Sequence, residues 1–193
     1  QKLEKMGAKP SDGPVAVTGA TGGVGSISIA LLKQLGYNVV AFSGKPEQSD
    51  KLKALGASEI LHRDVMLEVK DLPAGKTKWA HGIDTLGGDY LTGLLKQLKA
   101  GGGVASVGLA ASAEIAMSVI PFITRGISLL GVDSVYIPLA DKKHIWHRVA
   151  TDMKLPNLEN YQQEISLAET PEYLDRFFQG QVVGRYVVNV QNA

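Results

Sequence analysis

Apolar residues fall along this chain in short runs of two kinds, and their spacing sets the elements to expect. Val15-Ala16-Val17 is a β-branched run that ends near glycine, whereas beyond Gly25 the apolar positions Ile27, Ile29, Ala30, Leu31 and Leu32 suit a buried helix better than a strand. The alternation then repeats: residues 37–42 read as a strand, 49–55 as a helix closed by Gly56, and 59–61 as a strand. Connected in the usual sense, these make a right-handed βαβαβ half. A second half follows, with strands expected at 82–85, 103–107 and 127–132, a helix at 90–98 and another at 142–153. The fold class is therefore α/β, a Rossmann fold with a doubly wound six-stranded parallel sheet.

After Pro156 the texture changes. Polar residues fill 157–163, then come a short strand at 164–167, a helix at 171–178 and a last strand at 185–190. Pro171 inside the start of that helix, Gly180 beyond its end and Thr170 as its N-cap match the usual asymmetry of helix termini. The expected division is a dinucleotide-binding domain at 1–156 and a separate C-terminal segment at 157–193. At the other end the chain opens at Gln1 in what reads as the end of a helix, which suggests a piece of a longer protein.

Composition narrows the partners. With 20 basic and 19 acidic residues the net charge is +1, so no global field favours nucleic acid or a membrane surface. No run approaches the roughly 18 apolar residues of a membrane span, and the absence of cysteine removes disulfides and thiolate metal sites. A cytoplasmic protein is expected. His144 and His147 stand three apart on a probable helix, but with no third ligand near they read as a partly buried helix face and not as a metal site. Tyr136 and Trp146 read as core or interface residues. The acidic pairs Glu68 with Asp71 and Glu169 with Glu172 read as helix-end and surface charge.

The local chemistry is concentrated in Thr18-Gly19-Ala20-Thr21-Gly22-Gly23-Val24-Gly25, between the first strand and the first helix. There a diphosphate meets exposed backbone N–H groups at the positive end of a helix dipole, and glycine permits the close approach. An NAD site usually places an acid about 20 residues further on, to hold the ribose 2′-hydroxyl. This chain instead has Phe42-Ser43-Gly44-Lys45 at the end of the second strand. Ser43 offers a hydroxyl, Gly44 a free N–H and Lys45 a cation to a 2′-phosphate, and Arg63 after the third strand adds a second cation. The cofactor expected is NADP(H). Against it stand two readings: Lys45 and Arg63 as ordinary solvated charges, and Glu47 as the acid of an NAD site.

Longer blocks carry a family resemblance. The stretch Gly13 through Gly25, Leu55-Gly56-Ala57-Ser58, Trp79 through Gly88, Pro121 through Val135 and Gly184-Arg185-Tyr186-Val187-Val188 together resemble the zinc-independent quinone oxidoreductase branch of the medium-chain dehydrogenase/reductase superfamily, in its acryloyl-coenzyme A reductase group. The block from Pro121 to Val135 is the most specific. The resemblance implies a two-domain reductase whose GroES-like substrate domain is absent here, with the tail after Pro156 returning to it. It implies that Thr21, Gly22, Gly23 and Val24 hold the diphosphate, that Ser43, Gly44, Lys45 and Arg63 hold the adenosine 2′-phosphate end, and that Leu109, Ile123 and Ser134 line the nicotinamide side. Lys45 stands where many relatives have arginine, which keeps the charge and loses bidentate geometry.

The activity implied is NADPH-dependent hydride transfer to the double bond of an α,β-unsaturated carbonyl or thioester such as acryloyl-CoA, or to a quinone. Arg185 is the one side chain nominated near the enolate charge, with a solvated strand arginine as the alternative. A short-chain reductase would share the glycine start but needs a Tyr-x-x-x-Lys pair, and no tyrosine here has lysine four residues on. A non-catalytic NADPH-binding sensor is the other rival. The strand at 127–132 falls at a sheet edge that favours homodimer pairing, as the resemblance also implies.

Overall fold

The computed structural model describes residues 1–156 and 158–191. Its main sheet has six parallel strands: β1 (Val15–Val17), β2 (Val39–Ser43), β3 (Glu59–His62), β4 (Trp79–Asp84), β5 (Leu98–Ser106) and β6 (Ser128–Gly131). Their order, β3-β2-β1-β4-β5-β6, is the doubly wound Rossmann order. It reverses between β1 and β4, so the chain leaves these neighbouring strands toward opposite faces and a crevice opens at their carboxyl ends.

Alternation along the central strands divides the core in two. Val15 and Val17 on β1, with Val39 and Ala41 on β2, pack with Ile29 and Leu32 of α2 (Gly23–Gln34), the helix after the short α1 (Lys2–Lys5), and with Leu52 of α3 (Ser49–Ala54). The intervening Ala16, Val40 and Phe42 pack on the other face with Leu91, Leu94 and Leu95 of α4 (Gly88–Lys96) and with Met66 of a 3₁₀ segment, Arg63–Val69. Strands buried on both faces carry no polar stripe, which is why β1 and β2 read as unbroken apolar runs.

Several boundaries differ from those expected. β2 starts at Val39, because Tyr37 turns aside to donate its hydroxyl to the Ala8 carbonyl at 2.9 Å. β4 begins at Trp79, three residues early. A histidine inside the strand hid this: His81 is buried, its Nε2 3.1 Å from Asp12 Oδ2 and its Nδ1 accepting from Gly103 N. Leu98 is the first residue of β5, not the end of a helix, and Gly101-Gly102-Gly103 lie within that strand, across from an irregularity in β4. α5 (Ile120–Arg125) was not expected. α6 (Leu139–Ala150) sits three residues earlier than expected and buries none of its residues. His144 and His147 are therefore exposed, which corrects the reading of a partly buried face, and Tyr136 and Trp146 stand in solvent and not in the core.

The tail forms β7 (Gln163–Ser166), α7 (Thr170–Phe178) and β8 (Tyr186–Asn189), with β7 and β8 paired in parallel apart from the main sheet. Thr170 is not the N-cap. It is the first helical residue, its hydroxyl donating to the Ser166 carbonyl, while Glu169 occupies the cap and its carboxylate accepts from Ser166 N and Oγ, both at 2.8 Å. Residue 157 and residues 192–193 of the expected C-terminal segment lie outside the described residues. Among the described residues no helix is long and apolar enough to cross a membrane.

Candidate functional site

The turn from β1 into α2 is built by close approach. A Cβ on Gly25 would run into the Gly19 carbonyl oxygen and the Ala20 Cα, both backbone, so only glycine lets α2 start against the strand end. Gly19 itself has φ 58°, a left-handed conformation that glycine adopts without strain. Ser26 N donates to Gly22 O to open the helix, and no side chain caps it. The N–H groups of its first turn are thus left for an external acceptor.

Behind the turn lies a polar network absent from the expectations. Thr18 Oγ1 donates to Asp84 Oδ1 at 2.6 Å and accepts from Thr85 N at 3.1 Å, while Thr85 Oγ1 returns a bond to Thr18 O. Asp84 Oδ2 accepts from Gly87 N at 2.8 Å. Thr18 and Asp84 are both fully buried. Burial pushes the Asp84 carboxyl up, against the opposing pull of the Thr18 and backbone bonds. These bonds tie the end of β1 to the end of β4 on either side of the crevice.

The crevice is an open cleft of about 450 Å³. Gly19, Thr21 and Gly22 form its floor, and Ser43, Gly44, Lys45 and Arg63 its far end. Gln179, Gly180 and Val182 of the tail wall it from above. Six of the expected residues, Thr21, Gly22, Ser43, Gly44, Lys45 and Arg63, are thereby brought together. Gly23 and Val24 follow in the first turn of α2, outside that lining.

No carboxylate lines the cleft among the described residues, and Glu47 stands exposed beyond Lys45. Lys45 Nζ donates to the Val182 carbonyl at 2.8 Å, and burial pulls the ammonium pKa down while Glu47 opposes the shift. Arg63 is half exposed and makes no hydrogen bond among the described residues. Its guanidinium lies against Gly44, where a Cβ would come within 3.0 Å of Nε.

The nicotinamide-side expectations are dispersed. Leu109 lines a second, smaller cleft of about 240 Å³ with Gly87, Ser106, Gly108 and Ser112. Ile123 on α5 and Ser134 after β6 are exposed and line neither cleft. Arg185 also lines neither. Its guanidinium donates to the Gly23 carbonyl at 2.9 Å, beside the bond from Gly184 N to Thr21 O at 2.7 Å. Both bonds fasten the tail to the glycine turn. The tail wall was missed because it reaches the cleft only through the tertiary return, with no local signal. For the buried network around Thr18 a clue was available in Asp84, which closes β4 at a strand's carboxyl end.

A family model described as zinc-binding dehydrogenase matches residues 23–150. The chain belongs to this zinc-binding dehydrogenase family. Acrylyl-CoA reductase AcuI of Ruegeria pomeroyi is 44% identical over 97% of this chain and 57% of its own length. The crystal structure of Escherichia coli K-12 YhdH with bound NADPH matches with a TM-score of 0.91 at 42% identity, over 96% of this chain and 57% of that one. Bacillus subtilis YhfP, crystallised with NAD bound, gives 0.92 at 42% identity over 97% and 57%. The chain thus spans a little over half the length of these relatives. The resemblance to the acryloyl-CoA reductase and quinone oxidoreductase side of the medium-chain superfamily holds, and the short-chain alternative falls with it.

The family description carries a metal. Among the described residues no three His, Cys, Asp or Glu side chains converge to hold an ion, and the chain has no cysteine. These residues of a zinc-binding dehydrogenase family member do not fit a zinc site.

Proposed function

We propose that this chain is the NADP(H)-binding part of a reductase that transfers hydride to the double bond of an α,β-unsaturated carbonyl or thioester such as acryloyl-CoA, or to a quinone. The observation that carries the reading is the far end of the cleft: two cations, a serine and a bare glycine, with no carboxylate among the described lining residues. A 2′-phosphate is accommodated there, whereas a free ribose 2′-hydroxyl finds no acid to accept its proton. Family likeness alone does not choose the cofactor, since one relative was crystallised with NADPH and another with NAD.

The residues divide the work. Thr21 through Val24 present backbone N–H groups to the diphosphate, and Ser43, Gly44, Lys45 and Arg63 hold the phosphorylated ribose. The family resemblance assigns Leu109, Ile123 and Ser134 to the nicotinamide side, and of the three only Leu109, just past the carboxyl end of the fifth strand, lines a cleft among the described residues. When bound, the reduced nicotinamide supplies the hydride. The bond from the Arg185 guanidinium to the Gly23 carbonyl favours a role in fastening the tail to the loop over one at the enolate charge. Donors for the enolate oxygen then come from a GroES-like substrate domain to which residues 157–193 return. Pairing of β6, an edge strand of the sheet, would give the homodimer.

Titration of the chain with NADPH and with NADH, followed by nucleotide fluorescence, tests the reading. NADPH is expected to bind more tightly, and Lys45→Ala or Arg63→Ala to weaken NADPH by about tenfold, the worth of one charge-assisted contact, with NADH little changed. Equal affinity for the two in the unmodified chain overturns the assignment.

A further inference from the structure

Arg63 raises a question that the cleft lining alone does not answer. A half-exposed arginine with no hydrogen bond would sweep many rotamers, and ordering it on a ligand would cost much of what the contact returns. Yet it is held on three sides. Its guanidinium carbon lies 5.4 Å from the centroid of the Tyr90 ring, and its Nε lies 3.8 Å from Asp64 Oδ1. The Tyr90 hydroxyl donates to that same Asp64 oxygen at 3.1 Å. On the third side is Gly44, whose missing Cβ leaves the room that the guanidinium fills.

Tyr90 comes from α4, in the other half of the sheet from Gly44 and Arg63, so the arrangement depends on the packing of α4 against the 3₁₀ segment that begins with Arg63. Contact of the guanidinium with the ring uses none of its N–H donors, which stay available to an anion in the cleft. Burial and the Asp64 bond push the phenol pKa up, which keeps it a donor.

We infer that Tyr90, bonded to Asp64, is a positioning residue for cofactor choice: it holds the Arg63 guanidinium over Gly44 in the orientation that receives a dinucleotide 2′-phosphate. The inference rests on the NADP(H) reading above. It adds a determinant distant in sequence from the glycine loop and from the end of the second strand, and one that touches neither nucleotide.

The test compares Kd for NADPH and for NADH in the unmodified chain, Tyr90→Leu, Tyr90→Phe and Tyr90→Trp, with thermal unfolding of each. Tyr90→Leu is expected to weaken NADPH about threefold, the order of one exposed cation–π contact, and to leave NADH unchanged. Tyr90→Trp, which restores an aromatic face, is expected to recover most of the loss, and Tyr90→Phe to lie between. In an Arg63→Ala background Tyr90→Leu should have no further effect on NADPH. A loss of folded protein moves both nucleotides together, so their ratio isolates the effect. An unchanged ratio in Tyr90→Leu, in a chain that does prefer NADPH, overturns this inference alone. So does an undiminished effect of Tyr90→Leu without Arg63. No preference in the unmodified chain overturns the cofactor reading, and this inference with it.

Discussion

The central strands and the outer helices of this chain solve the burial problem differently. β1 and β2 are buried at every residue, and α2 and α4 both contribute buried side chains to one or other core cluster. α6 and α7 bury none. α7 leaves Leu174, Phe177 and Phe178 in solvent, the last 82% exposed, and α6 does the same with Trp146. The sheet closes its own core, whereas α6 and the tail are tied to it at discrete polar points: Gly184 and Arg185, beyond α7, on the glycine turn, Val182 on Lys45, and Glu4 on Arg148 of α6. Function straddles the contrast, because the cleft takes its floor from the first region and its upper wall from the second.

The widest separation between the two is expected from truncating an aromatic ring in each. Phe42 is fully buried and meets Trp79 edge to face at a centroid distance of 5.3 Å. Phe42→Ala should destabilise by about 3–5 kcal/mol in urea unfolding, while Phe178→Ala should stay within about 0.5 kcal/mol. Comparable losses from both would mean that α7 shares the core's cooperativity after all.

Next in size is the junction itself. Gly25→Ala sets a methyl group against backbone atoms that cannot rotate away, so the cost falls on the shape of the turn. Destabilisation of about 1–3 kcal/mol is expected, together with weaker binding of NADPH and NADH alike, because the diphosphate N–H groups are shared by both. A variant that bound one nucleotide normally would separate the glycine turn from the diphosphate.

How far the sequence foretold this follows the same contrast. The alternation of strands and helices, the glycine turn and the Ser43-Gly44-Lys45 end were legible because each signal is local: an apolar run, a glycine cluster, a cation at a strand end. Arg63 was legible for the same reason, but Tyr90 was not, since what makes it matter is the approach of α4 across the sheet. His81 concealed the start of β4 because its satisfaction comes from Asp12 and Gly103, both distant in sequence. α6 was displaced by three residues because a helix that buries nothing has no apolar stripe to fix its phase. The histidines read as partly buried on it were misjudged for the same reason. The charge of Arg185, which pointed to the enolate, says nothing of the carbonyl its guanidinium meets.

The smallest expected effect concerns what holds α6. Arg148 near its C-terminal end donates to both Glu4 oxygens, at 2.7 and 3.0 Å, and also to Asp152. The Arg148 bonds lead the causes that hold the Glu4 carboxyl down at about 2, against an ordinary 4.5. A carboxyl whose pKa is lower in the folded state contributes stability that is complete above its unfolded value and is lost as pH falls toward the folded one. The Glu4 contribution should therefore be constant above pH 4.5 and fade between there and about 2. Because Glu4 is a third exposed, solvent screening holds the effect to about 1 kcal/mol. Urea unfolding of Glu4→Gln beside the unmodified chain should show that gap at pH 7 and a clearly smaller one at pH 3. A gap that stays the same at both would mean that the pair contributes through shape and not charge, and that α6 is held by something other than this clip.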